Sequence, residues 1–96
     1  MADAIDDLFR RLKAQNRRAF MPFVTAGDPD LAFTRDVLPA VAESGADLIE
    51  VGFPFSDPIA DGPTIQRASE RALARGMSLR KVLQIVREFR AAGAET

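Results

Sequence analysis

Asp47-Leu48-Ile49-Glu50-Val51-Gly52 is an apolar run closed by glycine and broken by one carboxylate. It lacks polar–apolar alternation, so it reads as a strand of a parallel sheet, covered on both faces. Ala19-Phe20-Met21-Pro22-Phe23-Val24-Thr25-Ala26-Gly27 has the same character: short, aromatic and β-branched, and ended by glycine. Pro22 sits awkwardly there, because proline donates no ladder hydrogen bond and is confined to edges, bulges or strand starts. Between the two runs, Asp28-Pro29-Asp30 predicts a helix start, with Asp28 as cap and Pro29 in the first helical position. Leu31, Val37, Leu38 and Val41 supply that helix's apolar stripe up to Ser44-Gly45. Pro39 falls inside it and is expected to kink or divide it.

Working outward, Asp3 to about Arg17 is amphipathic: Ile5, Leu8, Phe9 and Leu12 follow the spacing that lines one helical face. Acidic residues precede basic ones along it, which suits the helix dipole. Downstream, a polar loop from Phe53 to about Pro63 holds three Pro and two Asp in eleven residues. Thr64–Arg75 is helical in propensity and closes at Gly76. A last helix starts at Ser78, a good N-cap, and runs to about Ala92, with Leu79, Val82, Leu83, Ile85, Val86 and Phe89 as its apolar face. The order is helix, strand, helix, strand, loop, helix, helix. Strands alternating with helices imply parallel βαβ units. Two strands cannot cover themselves on both faces, and they leave two edges unpaired. A third strand is therefore expected after Thr96.

Composition excludes several kinds of chemistry. Thirteen basic residues against fourteen acidic give a net charge of −1, which favours neither a nucleic-acid surface nor a membrane face. No run approaches the ~18 apolar residues of a membrane span, and residues 1–18 show no secretory-signal pattern. The absence of Cys fits a reducing cytoplasm and removes thiol catalysis. His is absent as well, so no His or Cys metal site is expected and acid–base work falls to Asp, Glu or Lys.

Two carboxylates stand out. Glu50, near the C-terminal end of an apolar strand, is costly unless paired, hydrogen-bonded or protonated. In barrels of alternating strands and helices that end of the strand carries the active site, and an apolar setting there raises a carboxyl pKa toward a range useful for proton transfer. The competing role is a structural acid facing a Lys or Arg. Asp61, in Ala60-Asp61-Gly62-Pro63, lies at the far end of the following loop, so both acids flank one βα-loop; it serves equally well as a cap for the next helix. Asp57, in Ser56-Asp57-Pro58, has ordinary turn chemistry as its alternative.

The seventeen residues Glu50-Val51-Gly52-Phe53-Pro54-Phe55-Ser56-Asp57-Pro58-Ile59-Ala60-Asp61-Gly62-Pro63-Thr64-Ile65-Gln66 resemble the signature stretch of the tryptophan synthase alpha chain family. Pro22 to Pro29 resembles the family's first strand and turn, and Gly45-Ala46-Asp47 the approach to its second. The resemblance implies a (βα)8 TIM barrel, of which residues 1–96 hold the N-terminal helix and the first two βα units. It also implies retro-aldol cleavage of indole-3-glycerol phosphate to indole and glyceraldehyde 3-phosphate, in the cytoplasm. By matching positions, Glu50 is expected as the acid–base group and Asp61 as the acceptor of the indole N–H. Phe23 and Ile65 are expected to line the indole pocket. Pro54, Asp57 and Pro58 are expected to face a beta chain in an alpha2beta2 heterotetramer. No cofactor is implied for this chain, since pyridoxal phosphate belongs to the beta chain. The N-terminal helix is expected to cap the bottom of the barrel.

Such barrels run to about 250 residues. This chain is therefore expected to be inactive alone, its phosphate-binding loops lying elsewhere. The competing functions are a non-catalytic module that binds the beta chain and a quarter-barrel that self-associates.

Overall fold

A computed structural model describes residues 3–54, 62–94 and 96. Among them the element order is α1 (Ala4–Ala14), β1 (Phe23–Thr25), α2 (Leu31–Glu43), β2 (Glu50–Gly52), α3 (Pro63–Ala74) and α4 (Leu79–Ala91). The strands pair in parallel, with Phe23 opposite Glu50, Val24 opposite Val51 and Thr25 opposite Gly52. This is the βαβ order read from the sequence, with α2 as the crossover.

Both strands are shorter than their apolar runs. The Pro22 carbonyl accepts from the Glu50 N–H at 3.0 Å, but Pro22 has no N–H to extend the ladder backward. Regular pairing therefore starts at Phe23 and Glu50. Glu50 consequently opens β2 instead of closing it, two residue pairs short of the rim formed by Thr25 and Gly52.

The helix ends follow local chemistry. The Asp3 carboxylate accepts the Asp6 N–H at 2.8 Å and caps α1. Instead of continuing to Arg17, α1 stops at Ala14, because Asn16 adopts a left-handed conformation (φ +54°). There the Asn16 N–H donates to Lys13 O at 3.1 Å and the Arg17 N–H to Leu12 O at 2.9 Å, a Schellman closure. Gly45, Gly76 and Gly93 end the other three helices as read. The cap of α2 is Asp30, which accepts the Phe33 N–H at 2.8 Å, and not Asp28; the Asp28–Pro29 peptide is cis. Pro39 does not divide α2. It and Arg35, whose carbonyl it cannot serve, are both exposed, so water can replace the missing bond. Gly62 is the cap of α3 and Pro63 its first residue. Ser78 caps α4, as predicted.

The core lies between one face of the sheet and α2, α3 and α4. Ala26, Leu38, Ala72, Met77, Val82 and Ile85 form it, with Ile49, Val51 and Phe53 packed against it from the second strand and its flanks. Only part of the predicted α4 face is buried there, since Leu79 and Leu83 are exposed. At the other end, Ala4, Ile5 and Leu8 of α1 line a groove together with Asp47 and Leu48. The N-terminal helix thus sits by the N-terminal ends of the strands.

Candidate active site

Alternation along the two strands sorts their side chains. Val24, Ala26, Ile49 and Val51 face the helices, and Phe23, Thr25, Glu50 and Gly52 face the other way. Expected coverage on both faces is met on the helix side, and on the other face Thr25 is buried while Phe23 and Glu50 are not. On the open face Glu50 is exposed and Phe23 retains 47% of its accessible surface. The reason is geometric: βα units place helices on one side of their strands, and the other side is covered only when more strands curve round to meet it. Glu50 therefore stands where the interior of a closed barrel would be, directly across from Phe23.

Two glycines bring groups close. A Cβ on Gly52 would fall 2.8 Å from Phe23 Cε2, so the aromatic ring lies against the backbone of β2. After β1, Gly27 turns with φ +90°, and a Cβ there would meet Met77 Cγ at 2.8 Å. The Gly27 N–H donates to the hydroxyl of the fully buried Thr34 at 2.8 Å, and that hydroxyl in turn donates to Asp30 O at 3.3 Å. The turn leaving β1 is thus pinned from α2 and from the α3–α4 junction.

An ion pair ties the same turn to α3. Arg71 Nε and Nη2 donate to the two carboxylate oxygens of Asp28 at 2.7 and 3.0 Å. The hydrogen bond to Asp28 raises the Arg71 pKa above its ordinary value, with the nearby negative charge adding to it and partial desolvation opposing it. Bidentate geometry of this kind fixes orientation as well as distance. Asp28, read from the sequence as a helix cap, serves instead to anchor α3, the helix whose first turn contains the half-buried Ile65.

Of the residues singled out in the sequence, Phe23 and Glu50 are brought side by side on one face of the sheet. Ile65 lies on α3, which packs against β1. Pro54, expected at a partner surface, is fully buried within the chain. Asp57, Pro58 and Asp61 lie outside the described residues. Sequence reasoning missed Gly52 as a packing position, Thr34 as a buried acceptor and Arg71 as the partner of Asp28. Only Gly52 carried a local signal, because glycine at a strand position marks a close approach. Among the described residues no group of three or more His, Cys, Asp or Glu could hold a metal ion, and no helix is long and apolar enough to cross a membrane.

The chain is similar to known proteins in sequence and in fold. The family profile of the tryptophan synthase alpha chain matches residues 9–96. The tryptophan synthase alpha chain of Azoarcus sp. (strain BH72) is 64% identical over 92 residues, 96% of this chain and 34% of that one. That of Dechloromonas aromatica (strain RCB) is 62% identical over the same shares. The chain spans about a third of the length of the curated relatives it matches. Among solved structures, tryptophan synthase subunit alpha from Legionella pneumophila str. Paris superposes with a TM-score of 0.95 at 45% identity, covering 100% of this chain and 37% of that one. Tryptophan synthase from M. tuberculosis in its aminoacrylate-bound form gives 0.90 at 41%, covering 97% and 38%. The two βα units are of the TIM-barrel kind, and with the match running from Phe9 to Thr96, the chain belongs to the tryptophan synthase alpha chain family.

Proposed function

We propose that this chain is the N-terminal portion of an alpha-chain barrel that cleaves indole-3-glycerol phosphate to indole and glyceraldehyde 3-phosphate. The observation that carries the reading is the placement of Glu50 on the open sheet face, in register with an aromatic residue, two residue pairs from the C-terminal rim. A carboxyl group there can hand a proton to C3 of an indole lying against Phe23. Protonation makes C3 tetrahedral and puts positive charge on the ring nitrogen. Loss of the proton from the adjacent glycerol hydroxyl then forms the aldehyde and breaks the carbon–carbon bond, whose electron pair restores the indole ring. Glu50 relays these protons. Asp61 accepts the indole N–H and stabilises the transient positive charge, an interaction that is strongest where water is excluded. Ile65 and Phe23 wall the indole.

The same reading gives the chain a beta-chain partner in an alpha2beta2 assembly, with Asp57 and Pro58 at the contact. Pro54, buried in the alpha chain itself, would act there by directing the loop that follows it. The alpha chain needs no cofactor in this scheme, and pyridoxal phosphate resides in the beta chain. The location is the cytoplasm.

The test uses a full-length alpha chain carrying this segment. Glu50→Gln should remove nearly all cleavage while leaving the folded signal in circular dichroism intact, and Asp61→Asn should do the same. Residues 1–96 alone should show no turnover. Unimpaired cleavage by the Glu50→Gln protein would refute the assignment.

A further inference from the structure

The ring of Phe23 fills the space that a side chain on Gly52 would need. A Cβ placed on Gly52 would lie 2.8 Å from Phe23 Cε2 and 3.2 Å from Cε1, and nearer still to Cζ. Real side chains do not tolerate such approaches, so one of the two groups must move. Gly52 lies within regular strand β2, in register with Thr25, so the position demands room and not conformational freedom. The geometry is also directional. Phe23 is paired with Glu50, yet its ring leans two residues further along β2, toward the rim.

We infer that Gly52 is a positioning residue that acts through Phe23. By carrying no side chain it lets the tip of the ring lie over the strand backbone, near Glu50, and so sets the width of the slot that an aromatic substrate would enter. This rests on the lyase reading above. With 47% of its surface exposed, Phe23 is held mainly from the strand side, and Gly52 is on that side. A methyl group at position 52 lifts the ring off the sheet. The substrate then loses its fitted wall, while the carboxylate that moves the proton keeps its place. Binding suffers more than turnover.

The experiment is a double-mutant cycle in a full-length alpha chain carrying this segment: unchanged, Gly52→Ala, Phe23→Ala and both together. Steady-state cleavage of indole-3-glycerol phosphate and urea unfolding are measured for each. Gly52→Ala should raise KM about tenfold with kcat within about twofold, and should add nothing further once Phe23 is alanine, as expected for two residues coupled by direct contact. An equal rise in KM in both backgrounds, or no rise when Phe23 is present, overturns the inference. If Gly52→Ala does not fold, the unfolding midpoints decide: the double variant must be the more stable of the two, and an equally unstable double variant rejects the ring contact as the reason for glycine. Absence of cleavage by the unchanged protein would instead refute the lyase reading, while the unfolding cycle would still judge the Phe23–Gly52 contact by itself.

Discussion

Asp47 and Phe20 clasp each other with two hydrogen bonds: the Asp47 carboxylate accepts the Phe20 N–H at 2.8 Å, and the Asp47 N–H donates to the Phe20 carbonyl at 2.9 Å. Their separation along the chain, 27 residues, equals that of Phe23 and Glu50 three positions later. The clasp therefore sets the register of the two strands before regular pairing begins. A slip of one residue would turn Glu50 into the helix-facing core and Val51 out of it.

Removing the clasp should loosen that register. Asp47→Ala is expected to cost about 0.5–1.5 kcal/mol, the usual net worth of an accessible hydrogen bond, and Asp47→Asn less, because its amide oxygen still accepts. Urea unfolding of a full-length alpha chain carrying this segment measures both, as it does for the variants below. Equal stability of the unchanged and alanine proteins would show that the strands find their register without Asp47.

Thr34 is the more sensitive position. Its hydroxyl is the buried acceptor of the Gly27 N–H, and Thr34→Val keeps the shape while leaving that donor without a partner, at about 1–3 kcal/mol. The Gly27 amide should also exchange with solvent faster. Thr34→Ser, which keeps the hydroxyl, should lie close to the unchanged protein; a serine variant as unstable as valine would point to the lost methyl instead.

Gly27 is constrained twice, by its φ of +90° and by Met77 Cγ 2.8 Å from any added Cβ. Gly27→Ala is expected to lose about 1–3 kcal/mol from backbone strain alone, with the contact adding to it. Met77→Ala in that background should return the contact part only. Full recovery would mean that the backbone carries no strain.

The Arg71–Asp28 pair makes a prediction about pH. A cation whose pKa is raised by folding contributes stability that is complete below its unfolded pKa and is lost as pH rises through the folded one. For Arg71, whose already high pKa is raised further by Asp28, that loss falls above any practical pH, so its contribution should stay level from neutrality to about pH 11. Arg71→Lys brings in a group that titrates near 10.4. The stability gap between the two proteins should therefore widen above about pH 10, read as urea midpoints at pH 7, 9 and 10.5. A gap that stays constant would show that the cation at this position does not stabilise the fold.

How much of this was legible in the chain depends on whether local chemistry was enough. Helix starts at Asp3 and Ser78 and helix ends at Gly45, Gly76 and Gly93 were readable, because a cap is a matter of a few adjacent residues. The choice between Asp28 and Asp30 as the α2 cap was not. Both are good caps, and Asp28 is taken by Arg71, 43 residues away. The early end of α1 was missed because Asn16 in a left-handed conformation does glycine's work there.

Residue types and their spacing determined the parallel βα order, the positions of the strands and the unusual carboxylate Glu50 in an apolar run. What tertiary structure alone decided was which way those residues point and what they meet: Glu50 on the face away from the helices, Phe23 across from it with its ring against Gly52, and Asp28 bound to Arg71. The physical reason is range. Propensities, caps and hydrophobic period act over one or two turns of chain, whereas register and side-chain contact arise only when distant segments compete for the same space and the same hydrogen bonds.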